Sequence, residues 1–290
     1  MFQVFKKITK SLRGKNLGKI PGVRPLHRFL FEKLKPKGAA LLEIQGSKMF
    51  INPEDTGEAP DLLLRGVYDE YETELVKNLI KPGMRAVDIG AHIGYFTLIM
   101  ARAAGPEGKV WAFEPEPENF KLLKTNIKIN NLDNVTAYPY ALSNKKGKVK
   151  LFLDKKNLGN VSLQAGNISA QDLGGSFEVE AHTLDEHFEK EKIDFIKIDV
   201  QGAEGLVLKG GEKTLKNNKL KMIMEFWPWG LKNLGSDPLE FLIWLQGLGF
   251  RFSLLDARQK ILKPKDPASL LSVSENREGG KGWANLLCEN

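Results

Sequence analysis

The acids and glycines of interest stand where short apolar runs end. Residues 84–104, MRAVDIGAHIGYFTLIMARAA, lead through Asp88 into Gly90-Ala91-His92-Ile93-Gly94 and then a helix-like block. Run 109–113 ends in Glu114-Pro115, run 194–200 in Asp199-Val200-Gln201-Gly202, and run 221–226 in Glu225-Phe226. Carboxylates at strand ends, beside glycines that let the backbone approach a ligand, suit a bound nucleoside. An acid closing the second strand is placed to accept hydrogen bonds from two ribose hydroxyls, which assigns that role to Glu114. The loop Tyr140-Ala141-Leu142-Ser143 after run 134–139 is placed to border a flat base. Each residue also has a plainer role. Asp88 could satisfy turn amides, and Glu114 or Glu204 could be a first-turn acid favoured by a helix dipole.

These ends are useful only if the runs lie side by side. The pattern predicts strands 85–89, 109–113, 134–139, 194–200 and 221–226 alternating with helices 95–104, 117–130, 184–189 and 203–216. Alternation of this kind gives a mostly parallel sheet with helices on both faces. Extended runs 148–153 and 176–182 interrupt it. Helix 238–247, capped by Asp237 with Pro238 at its first position, precedes extended runs 250–255 and 282–287, expected to pair antiparallel at one edge. Ahead of the sheet, Gln45-Gly46-Ser47 between two apolar runs reads as a β-hairpin, followed by a loop to Pro60 and a helix over 68–80. The expected organisation is a basic extension and hairpin over 1–66 and a catalytic domain over 67–290.

The glycines choose between ligands. A pyrophosphate wants G-x-G-x-x-G, yet here Gly90 and Gly94 are separated by three residues, with His92 where the middle glycine belongs. That argues against a dehydrogenase, and no P-loop is present. S-adenosylmethionine has no phosphate and carries cationic amino and sulfonium groups, which suit a site ringed by Asp88, Glu114 and Asp199. The blocks VDIGAHIGYFT, AFEPEPENF and FIKIDVQGAEGLVLKG closely resemble the FkbM-type family of S-adenosylmethionine-dependent methyltransferases, in order and spacing, from about Gly66 to Phe226. His92 stands where that family usually has Asn, and Gln201 where it usually has Glu.

The resemblance implies a class I methyltransferase fold: α/β, Rossmann-like, with a seven-stranded, mostly parallel sheet. It implies O-methylation of a hydroxyl on a sugar, glycan, lipid or polyketide-like metabolite. It places Asp88, Gly90, Ala91, His92 and Gly94 around the methionine part of the cofactor, with Phe96 and Thr97 following. Glu114 and Pro115 fall at the ribose, Ala141 at the adenine, and Asp199 near the amino group or the acceptor. An alcohol acceptor needs its proton removed as the bond forms. Asp199 is the first candidate base, with His92, His182 and Glu225 behind it. No dense cluster of metal ligands is apparent, so no metal is expected. Trp227 and Trp229 either wall an acceptor pocket or pack as core, and His27 and His187 look like surface residues.

Charge adds one more expectation. The net charge is +7, but residues 1–38 contain eleven Lys/Arg against the single acid Glu32, while the remainder carries 32 bases and 35 acids. Phe5, Ile8 and Leu12 recur at helical spacing among lysines and Arg13. A basic amphipathic helix can lie on an anionic membrane or touch RNA phosphates, or be a solvated tail. An RNA methyltransferase, or a non-enzymatic docking protein that keeps the fold, is the alternative this leader raises, with nucleic acid the lesser expectation. One cysteine, Cys288, rules out an internal disulfide and fits a reducing, cytoplasmic setting.

Overall fold

The computed structural model describes residues 1–12, 20, 22–276 and 280–290; Arg13 lies outside them. Two helices open the chain, α1 (Phe2–Leu12) and α2 (Val23–Leu34). The expected hairpin follows as β1 (Ala40–Ile44) and β2 (Ser47–Ile51), with Gln45 and Gly46 both at positive φ, as a tight two-residue turn demands. It is clamped to the body by Asn126, whose side chain bonds the N–H and C=O of Phe50 at 2.7 and 3.0 Å.

After α3 (Ala59–Arg65) and α4 (Glu70–Leu79) the alternation begins: β3 (Arg85–Ile89), α5 (Tyr95–Ala104), β4 (Lys109–Phe113), α6 (Pro117–Ile129) and β5 (Val135–Tyr138). A separate four-stranded sheet comes next, from β6 (Ala141–Leu142), β7 (Gly147–Asp154), β8 (Val161–Ser162) and β9 (Leu173–His182). The chain returns through α7 (Leu184–Phe188), capped reciprocally by Thr183 and Glu186, to β10 (Phe195–Ile198), α8 (Glu204–Lys209), α9 (Glu212–Asn217) and β11 (Lys221–Phe226). It ends with α10 (Pro228–Asn233), α11 (Pro238–Gly247), β12 (Arg251–Asp256), β13 (Ile261–Lys265), α12 (Pro267–Glu275) and β14 (Ala284–Glu289).

The main sheet has the order β13-β12-β14-β11-β10-β3-β4-β5. β11, β10, β3, β4 and β5 are parallel, and β14 enters antiparallel between β11 and β12. The expected antiparallel pair, β12 with β14, is therefore present, but β13 and α12 lie between the two in the chain and β13, not the pair, forms the edge. The predicted seven strands are joined by an eighth, β13, at the edge. Its Pro264 explains both its absence from the prediction and its place, because proline cannot donate within a ladder.

One large apolar cluster, including Val87, Ile196, Met224 and Leu286, packs with α7–α12. The other, including Ala86, Val110, Ile99 and Met100, also takes in Phe5 and Phe31. The basic extension thus shares a core with the sheet.

Candidate functional site

Strand register assembles the site. Phe113, Ile89, Ile198 and Met224 lie opposite one another across β4, β3, β10 and β11. One residue further along each strand stand Glu114, Gly90, Asp199 and Glu225. Four positions spread over 136 residues become one row at the carboxyl edge of the sheet, where strand order reverses on either side of β3.

An open cleft lies on this row. Its wall includes Gly90, Glu114, Pro115, Ala141 and Asp199 from the expected set, with Phe113, Tyr140, Leu142, Leu151, Val161 and Leu163 supplying an apolar side. Among the described residues no Lys or Arg lines it. The second sheet was not foreseen as part of the site, yet β7, the β7–β8 loop and β8 give it Leu151, Gly159 and Val161.

The turn after β3 is drawn into shape by its neighbours. Gly90 and Ala91 N–H groups both donate to the Phe113 carbonyl at 3.0 Å. Glu114 accepts from His92 N–H at 2.8 Å on one oxygen and from Glu116 N–H at 2.9 Å on the other. Each oxygen keeps a second lone pair. Burial pushes the Glu114 carboxyl up to about 7 against the pull of His92.

Other expected residues stand behind the wall, not on it. Asp88 is buried and accepts from Thr97 Oγ1 at 2.5 Å; burial raises it to about 6, with Thr97 opposing. His92 is not on the wall: its Nδ1 faces Glu58 Oε2 at 3.2 Å. Burial works against its charge, but Glu58, Asp55 and Glu114 hold its proton and raise it to about 9. A buried imidazole off the wall, held by Glu58 just before α3, does not suit a base for an acceptor in the cleft. Gly94 caps α5, and the Phe96 ring lies under Lys197 Nζ at 4.6 Å.

His182 is also off the wall. Its ring packs tilted against Tyr140, 4.3 Å between centroids, and lies near Glu180 and Glu186. His187 and His27 are half-buried with partners, contrary to expectation. His187 Nε2 pairs with Tyr140 Oη at 2.8 Å, and His27 Nε2 with Thr9 Oγ1 at 3.2 Å. Trp227 Nε1 donates to the Lys281 carbonyl at 2.8 Å, and Lys281 Nζ sits over Trp229 at 4.5 Å, so the pair forms a half-buried rim after β11.

Sequence reasoning missed the charge under the row. Lys197 is buried in β10, opposite Asp88 in register. Its Nζ pairs with Glu72 of α4 at 3.2 Å and lies 3.9 Å from Asp199. Burial opposes its charge, but Glu72, Asp199 and Asp88 hold the proton firmly. Asp199 in turn accepts from Gln201 Nε2 at 2.7 Å, and Gln201 reaches Glu225 at 3.5 Å. A buried lysine inside an apolar strand was the available signal, since such a charge needs partners. Among the described residues, no group of three or more His, Cys, Asp or Glu is arranged to hold a metal ion.

Two carboxylates beside an apolar side, with Lys197 behind Asp199 and no Lys or Arg among the described wall residues, suit a cationic nucleoside better than a diphosphate. Residues 88–252, more than half of the chain, match the methyltransferase FkbM domain. The chain belongs to the FkbM methyltransferase family. Its cofactor is S-adenosylmethionine, and the residues on the wall fit it: Glu114 would take the ribose, Ala141 and the apolar side the base, and Asp199 would face the cationic end.

Similarity extends to methyltransferase sdnD of Sordaria araneosa, 31% identical over 176 residues that cover 50% of this chain and 68% of that protein. The 2-O-methyltransferase NoeI of Sinorhizobium fredii is 27% identical over 160 residues, covering 50% of this chain and 65% of that one. The crystal structure of methyltransferase FkbM from Methylobacillus flagellatus superposes with a TM-score of 0.41 at 15% identity, covering 81% of this chain and 53% of that one.

Proposed function

We propose that this FkbM methyltransferase methylates a hydroxyl oxygen on a sugar, glycan, lipid or polyketide-like metabolite. The supporting observation is the acid pair at the row's end: Asp199 on the cleft wall, joined through Gln201 to Glu225. S-adenosylmethionine supplies a methyl carbon already activated for displacement. The chain has to hold the acceptor in line and receive its proton. Asp199 reaches the cleft and takes that proton. Gln201 Nε2 donates to both acids and so holds the Asp199 carboxylate in place, while burial and the charges of Asp199 and Glu204 push the Glu225 carboxyl well up. The name of NoeI, a 2-O-methyltransferase, supports oxygen as the acceptor atom. The free, buried Cys288 accords with a cytoplasmic setting.

The second reading, RNA methylation, rests on the basic leader alone. Radiolabelled cofactor presented to hydroxylated metabolites, glycans and RNA in parallel separates the two. Label in an alcohol-bearing small molecule or glycan is expected, with kcat lowered roughly 10²–10⁴-fold in Asp199→Asn. Label only in RNA, or an Asp199→Asn enzyme as fast as the parent, sinks the proposal.

A further inference from the structure

We propose that helices α1 and α2 dock this protein onto an anionic bilayer surface. The buried side of α1 faces the core through Phe5, which packs 5.1 Å from His27, and through Phe2, 6.3 Å from Phe31 of α2. A second apolar row on α1 is left uncovered: Val4, Ile8 and Leu12, spaced by four residues, are 61%, 51% and 40% exposed. On α2, Leu26 and Phe29 are each 57% exposed. Lys7, Lys10, Arg24, Arg28 and Lys33 are exposed on the same two helices, and Lys33 Nζ lies 5.9 Å from the Phe29 ring centre.

This combination selects the partner. RNA phosphates would be served by the bases alone and would gain nothing from exposed Val4, Ile8 and Leu12. A second copy would bring together two segments that each hold eleven bases and one acid, at a repulsive cost. An anionic lipid surface uses both features, taking the apolar row into the acyl boundary while the lysines meet headgroups. Among the described residues no helix is long and apolar enough to cross a membrane, so the contact is with the surface. The two helices share a core with β3, β4 and α5, so docking would hold the whole body at the membrane.

The test is flotation of the full chain with phosphatidylcholine vesicles, with and without about 30% phosphatidylglycerol. No cofactor or acceptor is needed, so the outcome is independent of the methyl-acceptor reading. Binding is expected on the anionic vesicles only, falling steeply in about 0.5 M NaCl. The variant Val4→Ser/Ile8→Ser/Leu12→Ser alters exposed positions only. It should keep the parent's melting temperature and lose at least about tenfold in partitioning. A variant with Lys6, Lys7 and Lys10 changed to Gln should lose a similar factor. Three results overturn the proposal. One is undiminished binding by the serine variant. Another is tighter binding to a single-stranded RNA than to vesicles. The third is a dimer in sedimentation that the serine variant abolishes, with no vesicle binding by the parent.

Discussion

Glu114 performs two tasks with one carboxylate, and substitutions can separate them. Its oxygens hold the amides of His92 and Glu116 while facing the cleft. Glu114→Gln keeps one acceptor for the turn and gives up a charged acceptor for the ribose. Affinity for S-adenosylhomocysteine by calorimetry should weaken by about 1–3 kcal/mol; an unchanged constant would remove Glu114 from the cofactor site. His92 makes a different prediction. Its proton is held up to about 9 by Glu58, Asp55 and Glu114 against burial, from an ordinary 6.5. A raised folded pKa means stability that is fully present below 6.5 and lost as pH rises from 6.5 to 9. The loss is on the order of 3 kcal/mol. Unfolding by urea at the two ends of that window should show this decline in the parent and a much flatter one in His92→Asn. An equal decline in both would assign the pH dependence elsewhere. Asparagine fits there because residue 92 has φ 50°, a region Asn tolerates well. The sequence made Glu114 and Asp199 legible because an acid ending a strand is a local pattern. It hid His92's partner, since Glu58 lies 34 positions earlier in an unremarkable loop.

The sheet places chemistry by register, so its strand ends must pack without gaps. A Cβ on Gly90 would come 1.9 Å from the Asp199 carbonyl oxygen, and one on Gly202 would come 2.6 Å from the Gly230 carbonyl carbon in α10. Both glycines also have positive φ, 81° and 94°. Gly202→Ala should therefore cost several kcal/mol, about 1–3 from backbone strain and a similar amount from overpacking, and lower cofactor affinity with it. Gly247→Ala at the end of α11 meets nothing within 4 Å, and should be neutral or gain up to about 1 kcal/mol. Equal melting temperatures for Gly202→Ala and the parent would contradict the tight join of β10 to α10. At this scale the parallel strands and their helices were legible, because their apolar periods are long and end in glycine, proline or acid. Others were not. α3 and α10 are 7 and 6 residues long, too short for a period to emerge. α2 was read as part of a charged leader. α12 carries Asp266 and Pro267 as cap and first residue, a legible signal obscured by its serines. The predicted helix 203–216 breaks into α8 and α9 at Gly210-Gly211, where added Cβ atoms would strike the Ser143 carbonyl oxygen at 2.1 Å and Leu184 at 2.5 Å. The Gly-Gly pair was a local signal of this break; the packing against Ser143 and α7 that requires glycine there was not.

Across the whole molecule, one buried charge ties together segments far apart in the chain. Glu72 of α4 receives Lys197 of β10 on one oxygen and Asn285 of β14 on the other, so the entrance, centre and last strand of the sheet meet at a single carboxylate. Lys197 also neutralises Asp199 and Asp88, whose charges hold its proton. Removing one member leaves the other buried without a counter-charge, which costs about 3–5 kcal/mol, whereas replacing both with apolar groups of similar size can come close to neutral. Lys197→Met and Glu72→Met should each therefore lower the urea-unfolding free energy by that amount. The double variant should lose clearly less than the two added together. Lys197→Met should be the costlier single change, since it removes the counter-charge of Glu72, Asp199 and Asp88 at once, and its deficit should shrink as pH falls towards 5 and Glu72 and Asp88 take up protons. That direction follows from burial, which already raises Glu72 to about 7 and Asp88 to about 6: with the lysine gone they rise further, and below that range they are neutral in the folded state. Additive losses, or a Lys197→Met deficit that grows on acidification, would show that α4, β10 and β14 are held together by their apolar packing alone.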